Sequence, residues 1–419
     1  MSYEFDKDLK DCVVLSIGTN APPRFRGGLD QSMWSIALRM VPFVRAMHLL
    51  ACVDDPEQEF DDVQNGIAIS RRAFPRPYPA TEHGKPIWEK LQFQISDHLN
   101  PRNTRIFREY FDGVKPDVVL VHSLVGVGYN VVSELSRANV RVVFYLHELG
   151  LVCVNRAMYR GGHSCVGQCL PCKLSSGFQN SLHAKLNHVA YISPSRANLD
   201  IVKKYFDMGQ APSHAILNAN SYPRPQSRPL KSEASPIVIS FVGRVDREKG
   251  VGFVLDVLRD LSVDNEFLVN IVGDGAELLD LRQKFGQNSW CRFYGWRSQT
   301  EVAEILYASD FMLAPSLWTE NSPGVVAHSL FLGVPVVASA VGGMLDLVKD
   351  RVNGMLATVG DRKAWLSVLG ELFSNTELLA KLQSNAREMA PSLDADNIFL
   401  KHKKVIDATR SEFREPRQV

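Results

Sequence analysis

Charged and small residues stand where a chain could hold an anionic ligand. In GRVDREKG, Arg244 and Lys249 follow an apolar run, and two cations on one short loop can neutralise a diphosphate. In TENSPGVVAH, Glu320 precedes Asn-Ser-Pro-Gly and an apolar helical pattern, which directs backbone N–H groups at a polar ligand. Gly27 and Gly28 precede another helical pattern and allow close approach of a ligand to the backbone. These residues predict a site for a phosphorylated, hydrogen-bonding ligand.

Strand and helix patterns alternate along the chain and would position these residues. Short β-branched runs in the first half predict strands at Cys12–Gly18, Asp117–Ser123, Val140–His147 and His188–Ser193. Runs in the second half predict strands at Ile237–Gly243, Phe267–Gly273, Cys291–Gly295, Phe311–Ser316 and Pro335–Ala340. Helical patterns lie between them, so the predicted class is α/β, with doubly wound parallel sheets and crossover helices. In such folds ligands bind outside the carboxyl ends of the strands, here in a cleft between two facing domains.

The length of 419 residues favours two domains. Residues 220–236 are rich in Pro and Ser, follow neither period, and are interpreted as a linker. We therefore expect a Rossmann-like domain at 1–219 and a second one at 237–390. The remaining residues, 391–419, are predicted to form a helical tail that packs back on the first domain.

Composition limits the class of protein. The formal net charge is +1, which argues against a nucleic-acid binder, since such proteins carry a basic stripe or patch. No window of eighteen apolar residues occurs, and the acidic start of the chain is unlike a secretory signal, so a cytoplasmic location is expected. The cationic segments 71–79 and 183–206 fit either a solvated face or a peripheral contact with the inner face of a membrane.

Four of the seven cysteines cluster in the sequence, at Cys153, Cys165, Cys169 and Cys172. In a cytosolic chain this clustering favours a metal over disulfides, and four thiolates suit a structural zinc ion. The last three also match a triplet that holds an iron–sulfur cluster in radical enzymes. Reduced thiols, or a fortuitous disulfide on a loop, are the alternatives.

One ordered set of motifs resembles a known family. GRVDREKG, VGDGAE, FYGW, ASDFMLAPS, ENSPGVVAHSLFLGVPVVAS, VGGMLDLV and NGMLA, between Ile237 and Ala357, are similar to the C-terminal domain of family 4 glycosyltransferases. In the first half the resemblance depends on the two adjacent glycines, the Leu146–His147 pair, SPSRANLD and ILNAN. It implies the GT-B fold of two Rossmann-like domains. It also implies transfer of a sugar from a nucleotide-diphospho-sugar with retention at the anomeric carbon and without a metal cofactor for the chemistry.

The resemblance also implies roles for individual residues. Arg244 and Lys249 would hold the diphosphate and stabilise the leaving group, Glu320 would accept hydrogen bonds from the donor sugar, and His147 would lie beside that sugar. The wider donor-binding set implied by the resemblance adds Gly27, Gly28, Trp296, Asn321, Ser322, Pro323, Gly324 and His328. The donor would be a UDP- or GDP-sugar, and the acceptor a hydroxyl of a glycan, a lipid-linked glycan or a small metabolite.

His328 departs from the family pattern Glu-x7-Glu, in which the second acid binds both ribose hydroxyls. A neutral imidazole accepts one hydrogen bond where a carboxylate accepts two. Either His328 holds the ribose less firmly, or a neighbour replaces it, or donor use has been lost; simple packing on the helix is an equal alternative. The other residues have structural alternatives too: Glu320 as a partner of a helix N-terminus, the cations as solvated charges, and the glycines as turn residues.

Three function classes remain open from the sequence. The favoured one is a retaining hexosyltransferase in polysaccharide biosynthesis or related glycosylation. The second is another GT-B enzyme, such as a nucleotide-sugar epimerase or a phosphorylase, and the intact GRVDREKG and ENSPG motifs argue against it. The third is a non-catalytic relative that serves as a binding or scaffold protein, which the histidine at position 328 keeps open.

Overall fold

A computed structural model describes residues 8–23, 25, 27–53, 55–78, 85–161, 163–228 and 235–409. The chain divides into two compact units. The N-terminal unit comprises the described residues up to Met158, Cys165–Asn220 and those from Ile398 onward. The C-terminal unit comprises Tyr159–Ser164 and Ser221–Asn397.

The N-terminal unit contains a mainly parallel sheet. Its strands are β1 (Val13–Gly18), β2 (Ala46–Val53), β3 (Phe60–Gln64), β4 (Ile67–Ala73), β5 (Val118–Val121) and β6 (Arg141–Tyr145). A short hairpin of β7 (Tyr159–Arg160) and β8 (His163–Ser164) follows and belongs to the other unit, and then come β9 (Val189–Ser193) and β10 (Ser213–Ala215). The strand order is β10-β9-β6-β5-β1-β2-β4-β3, and within the described part of this sheet only the edge pair β3–β4 is antiparallel.

Helices cover this sheet and supply its core. They are α1 (Gly28–Met40), α2 (Ile87–Leu99), α3 (Pro101–Val114), α4 (Val132–Ala138), α5 (Leu170–His183) and α6 (Arg196–Tyr205). Strand β5 reads VVLV and is buried along its whole length, as expected for a parallel strand covered on both faces. The sequence-based reading found β1, β5, β6 and β9 but missed β2, β3, β4 and β10.

The C-terminal unit contains an all-parallel sheet of β11 (Ile237–Val242), β12 (Phe267–Val272), β13 (Cys291–Gly295), β14 (Phe311–Ala314), β15 (Val336–Ser339) and β16 (Gly354–Ala357). The order β13-β12-β11-β14-β15-β16 is the 3-2-1-4-5-6 order of a doubly wound Rossmann sheet. In this order the chain reverses direction of winding between β11 and β14. The carboxyl ends of those two strands are therefore the place where a ligand is expected.

The helices of the second half are α7 (Val251–Leu261), α8 (Leu278–Phe285), α9 (Gln299–Tyr307), α10 (Gly324–Phe331), α11 (Met344–Leu347), α12 (Arg362–Ser374), α13 (Thr376–Met389) and α14 (Ala395–Ala408). From Ile398 onward, α14 belongs to the N-terminal unit, where Phe399 and Ile406 join the core on one side of its sheet. The ring of His402 contacts the carbonyl oxygen of Leu217 at 2.8 Å through Nε2.

The predicted α/β class with two doubly wound sheets is confirmed. The described part of the 220–236 segment contains no helix or strand, while residues 229–234 and the last residues of the predicted tail, 410–419, lie outside the described ranges. The exact domain boundaries stay a prediction. Within the part of the chain that the structure describes, no helix has the length and apolar character needed to cross a membrane.

Candidate functional site

Glu320 is the centre of a buried polar cluster at the carboxyl edge of the C-terminal sheet. Its Oε1 accepts hydrogen bonds from Lys249 Nζ at 2.6 Å, Ser316 Oγ at 2.7 Å and Trp318 Nε1 at 2.8 Å. The Lys249 ammonium also lies 5.6 Å from the ring centroid of Trp318. We call Lys249, Ser316, Trp318 and Glu320 the Glu320 hub.

The electrostatics of the hub keep Glu320 charged. Burial alone would raise the pKa of this carboxyl, whose residue is only 7% exposed. The adjacent Lys249 charge and the three hydrogen bonds more than offset burial, so the pKa of Glu320 lies below its usual value. The hub thus presents a fixed carboxylate and a fixed ammonium side by side at neutral pH.

Backbone geometry explains how Lys249 reaches Glu320. The chain leaves β11, makes a 3-10 turn over Arg247–Lys249 and enters α7 through Gly250, which has φ +71°. A Cβ at Gly250 would lie 2.1 Å from the carbonyl oxygen of Pro315, so this crossing of the two strand-end loops requires glycine. The close crossing brings the loop after β11 against the loop after β14, and the two hub charges meet as a result.

Arg244 follows β11 directly, as predicted, and its side chain is 60% exposed. It forms an ion pair with Asp246, whose Oδ1 also accepts a hydrogen bond from the backbone N–H of Ala276 at 3.0 Å. The guanidinium therefore stands at the same strand end as the hub but does not belong to it. Being exposed and paired with a single carboxylate, it retains donors for a further anion.

The residues after Glu320 lead into a helix N-terminus. Helix α10 begins at Gly324 with Pro323 as its N-cap residue, and no side chain caps it. Its first backbone N–H groups have no partner within the helix, because the preceding turn that would supply carbonyls is missing. The predicted set Asn321, Ser322, Pro323 and Gly324 therefore lies between the hub carboxylate and the positive end of α10.

In the N-terminal unit, two histidines meet at the ends of neighbouring strands. His122 directly follows β5, His147 follows β6, and His122 Nδ1 lies 2.8 Å from His147 Nε2. Burial lowers the pKa of His147 to about 3 and that of His122 well below its ordinary value, and their mutual repulsion adds to the lowering at His122. Both rings are therefore neutral at pH 7, with one donating the shared hydrogen bond and the other accepting it.

A second cluster of ionisable groups lies next to this pair. Glu148 follows His147 and has Oε1 3.7 Å from Arg156 Nη1. Burial raises the pKa of Glu148, against the opposing effect of Arg156, and raises that of Asp97 in α2 to about 6. A cavity of about 50 Å³, lined in part by His122, Tyr129 and Glu148, lies among these groups. Its size suits a few water molecules or one hydroxyl group.

Gly27 and Gly28 stand at the start of α1, Gly27 as its N-cap residue. The φ of Gly27 is −171°, which any residue adopts, and a Cβ built at either glycine meets no atom within 4 Å. The described structure therefore does not itself require glycine at these two positions.

Residues 224–389 match the family model of glycosyl transferases group 1. This C-terminal domain is a group 1 glycosyltransferase domain. The match includes Arg244, the whole Glu320 hub and α10, and it confirms the resemblance drawn from the sequence.

Similar proteins include an uncharacterized 41.2 kDa protein in the cps region of Klebsiella pneumoniae, 31% identical over 32% of this chain and 36% of that protein. A D-inositol 3-phosphate glycosyltransferase of Salinispora arenicola is 28% identical over 38% of each chain. The chain therefore spans little more than a third of the length of these two curated relatives.

Among solved structures, the Anabaena protein HepE in complex with UDP superposes with a TM-score of 0.65 at 16% identity, covering 94% of this chain and 99% of that one. HepE has also been solved with UDP-glucose. At this identity the likeness shows the fold, and the chain has the GT-B fold of two parallel α/β units.

His328 packs against the segment that enters the glycosyltransferase domain. The residue is 5% exposed, its Nε2 lies 3.1 Å from the carbonyl oxygen of Pro223, and its ring stacks on Tyr222 with centroids 4.8 Å apart. Burial lowers its pKa to about 4, so at neutral pH the ring is uncharged and donates from Nε2 to that carbonyl. This contact holds the segment that enters the domain. The sequence analysis offered packing as one alternative for His328 but did not identify these partners.

Trp296 follows β13 and is 73% exposed. Its carbonyl oxygen accepts a hydrogen bond from Arg297 Nη1 at 2.9 Å, and Ser298 then caps α9 with a capping box. The indole is thus carried, largely exposed, on the turn that enters α9 of the glycosyltransferase domain.

The predicted zinc site is not supported. Cys153 and Cys172 are buried, whereas Cys165 and Cys169 are exposed, and within the described ranges no three side chains of His, Cys, Asp or Glu are arranged to hold a metal ion. Cys169 and Cys172 approach to 3.4 Å between their sulfurs. Burial raises the pKa of the Cys172 thiol to about 12, so this thiol is protonated at neutral pH.

Several residues of the site were missed by the sequence reading. Ser316 ends the ASDFMLAPS motif and Trp318 directly precedes TENSPGVVAH, and neither was given a role, although each donates to Glu320. His122 ends a predicted strand in the same way as His147, and that parallel was the available signal. Asp97 lies within a helix and carried no signal in the sequence.

Proposed function

We propose that this chain is a retaining glycosyltransferase that moves a sugar from a nucleotide-diphospho-sugar, preferably a UDP-sugar, to an acceptor hydroxyl. The observation that carries the proposal is the Glu320 hub, a charged carboxylate held against an ammonium at the switch point of a Rossmann sheet. The complex of HepE with UDP-glucose supports a uridine donor, and a GDP-sugar is the alternative.

Each polar group at this strand end has a proposed role in binding the donor. Lys249 uses one of its three N–H donors on Glu320, so two remain for diphosphate oxygens, and Arg244 adds a second cation at the same strand end. All three hydrogen bonds described for the Glu320 side chain end on Oε1, which leaves Oε2 to accept from a hydroxyl of the donor sugar. The first N–H groups of α10 add donors for sugar or phosphate oxygens.

The reaction then requires charge stabilisation more than a strong protein base. The bond between the anomeric carbon and the diphosphate oxygen breaks, and its electron pair leaves with the diphosphate, which Arg244 and Lys249 stabilise. The acceptor oxygen forms the new bond on the same face, and its proton passes to the leaving phosphate. In this scheme no metal takes part in the chemistry.

Residues of the N-terminal unit have supporting roles in the proposal. His147, which is neutral at pH 7 and contacts His122, is assigned to the donor sugar on the family resemblance. Gly27 and Gly28 serve the approach of donor phosphates to the backbone, which agrees with the lack of any packing reason for glycine there. Trp296, exposed on its turn in the C-terminal unit, is assigned to the nucleotide base.

The acceptor is proposed to be a growing glycan, because one relative comes from a cps region. No cysteine forms a disulfide within the described residues, and Cys165 and Cys169 are exposed, which fits a reducing cytoplasm. A scaffold protein without catalysis is the second candidate, and the engagement of His328 by Pro223 is the observation in its favour. That contact occupies the histidine where the family pattern has a ribose-binding acid.

A thermal-shift screen of the purified protein against UDP, GDP, ADP, TDP and CDP and their sugar conjugates tests the proposal. A ligand present at about 100 times its Kd stabilises the native state by about 2.7 kcal/mol, which gives a clear rise in Tm. We expect UDP to give the largest rise, and a UDP-sugar to act like UDP or more strongly. Absence of a shift from every nucleotide would favour the scaffold protein.

A further inference from the structure

Helix α2 exposes its apolar stripe. Trp88, Leu91, Ile95 and Leu99 follow one another at intervals of three and four residues, the spacing of one helix face, and are 58%, 60%, 53% and 58% exposed. The opposite face packs inward through Phe93 and other buried side chains. A surface helix ordinarily turns its apolar stripe toward the core, so the reverse arrangement of α2 marks an interaction surface.

A second group of exposed apolar side chains lies on α5 and in the turn before it. Val166, Leu170 and Leu174 are 98%, 69% and 67% exposed. The two helices touch through His98, whose Nε2 lies 2.8 Å from Ser175 Oγ. Leu99 and Leu174 are the sequence neighbours of these two contacting residues, so both exposed groups include a residue next to this contact. We call Trp88, Leu91, Ile95, Leu99, Val166, Leu170 and Leu174 the apolar face.

Within the two segments that carry the apolar face, the exposed charges have one sign. Among the described residues of 88–102 and 165–185, the exposed charged side chains are all cations, namely Lys90, Arg102, Lys173 and Lys185. The acids of these ranges are withdrawn: Asp97 is 6% exposed, and the Glu89 side chain is 23% exposed and lies 3.6 Å from Lys85. The two segments therefore combine exposed apolar side chains with an excess of positive charge.

We propose that the apolar face docks this protein on a lipid bilayer with anionic headgroups. Leucine, isoleucine, valine and tryptophan side chains with lysines and arginine beside them are the composition of a helix that lies in a membrane interface. The indole of Trp88 has an apolar ring and a polar N–H, which suits the boundary between acyl chains and headgroups. Anionic lipids supply the negative charge that the face itself lacks.

Charge also separates this occupant from a second copy of the chain. A twofold dimer through the apolar face would bring the same cations of both copies together, because such an interface uses one patch twice. With no exposed acid among the described residues of these two ranges, nothing would offset that repulsion. A bilayer with phosphatidylglycerol reverses the sign of the interaction.

Vesicle co-sedimentation tests the inference on the full-length protein and needs neither donor nor acceptor. The vesicles are phosphatidylcholine alone, or phosphatidylcholine mixed equally with phosphatidylglycerol. We expect binding to the anionic vesicles, and binding at least about tenfold weaker to the neutral ones because the cations lose their partners. The double variant Leu91→Gln/Ile95→Gln should bind anionic vesicles at least about tenfold more weakly, since two apolar side chains no longer enter the interface.

The matched control is Val263→Gln/Leu279→Gln, which changes two side chains of the C-terminal unit that are 82% and 78% exposed. This variant should bind vesicles like wild type, and all three proteins should share one melting temperature. Failure of wild type to bind anionic vesicles, or equal binding by the Leu91/Ile95 variant, would overturn the inference. So would light scattering that shows a dimer which only the Leu91/Ile95 variant dissociates, because the face would then belong to a second copy.

Discussion

Replacement of Lys249 by Met removes the ammonium from the Glu320 hub while keeping the length of the side chain. In wild type, the lowered pKa of Glu320 means that its stabilising contribution is present above its unfolded pKa and is lost as pH falls through the folded pKa. In the variant, burial acts on the carboxyl without the lysine charge, so the pKa of Glu320 rises. The stability deficit of the variant is therefore greatest at neutral pH and shrinks in acid, where the carboxyl is protonated in both proteins.

The size of the deficit follows from the geometry of the pair. Lys249 Nζ and Glu320 Oε1 are 2.6 Å apart, with side-chain exposures of 22% and 9%. Breaking a buried pair leaves an uncompensated charge and costs about 3 kcal/mol at pH 7.5. For a unit of this size that lowers Tm by about 9 °C. The double variant Lys249→Met/Glu320→Gln should recover about 2 kcal/mol, because no buried charge then lacks a partner.

The assay is calorimetric unfolding of each variant between pH 4 and pH 8. The control is Lys284→Met, which breaks an ion pair with Asp256 whose side chains are 48% and 31% exposed. That pair is solvent-screened, and its loss should cost under about 1 kcal/mol at any pH. If Lys249→Met loses the same free energy of unfolding at pH 4 and at pH 8, then Lys249 does not stabilise the charged form of Glu320. The same conclusion holds if the loss is no larger than that of Lys284→Met.

Three further outcomes follow from the structure. His328→Glu should lower the free energy of unfolding by about 2 kcal/mol at pH 7, because a buried carboxylate cannot donate to the Pro223 carbonyl. His328→Gln should retain most of the wild-type stability, because its amide can donate to that carbonyl, and melting curves of the two variants compare them. Gly250→Ala should lower the free energy of unfolding by about 3 kcal/mol and weaken UDP binding, since its Cβ would collide with Pro315. The control is Gly370→Ala in α12, where a Cβ meets no atom within 4 Å; it should raise the free energy of unfolding by about 1 kcal/mol, and denaturant titration measures both variants. Dialysis against EDTA should leave Tm and turnover unchanged, because the described cysteines form no metal site; a drop in either would restore the zinc hypothesis.

The strands that a sequence reading could find are those with continuous β-branched runs that end at a polar residue. Strand β2 reads AMHLLACV, with one β-branched residue, and carries no such signal. Strand β4 contains Arg71, which is 6% exposed and paired with Asp62 at 2.9 Å, so a charged residue in its interior concealed it. In both cases pairing with neighbouring strands outweighs a weak local preference.

For the site, the sequence supplied the residue types and their order but not their contacts. Lys249 and Glu320 are 71 residues apart, and their meeting depends on β11 and β14 being neighbours in the sheet. The partners of His328 are more than a hundred residues away in the chain and lie in a segment without periodicity. Such contacts follow from the tertiary arrangement, which no local pattern encodes.

Arg244 and Lys249 are proposed to stabilise a departing diphosphate. The rate at which UDP is released from a UDP-sugar tests this role of the two cations. The donor sugar is the one that gives the largest thermal shift, and UDP is followed with a coupled enzyme in the presence of an acceptor glycan. We expect turnover by wild type, with Arg244→Ala and Lys249→Ala each reducing kcat/KM by about 30- to 1,000-fold, equivalent to about 2 to 4 kcal/mol. If both alanine variants turn over at the wild-type rate, the two cations do not stabilise the departing diphosphate.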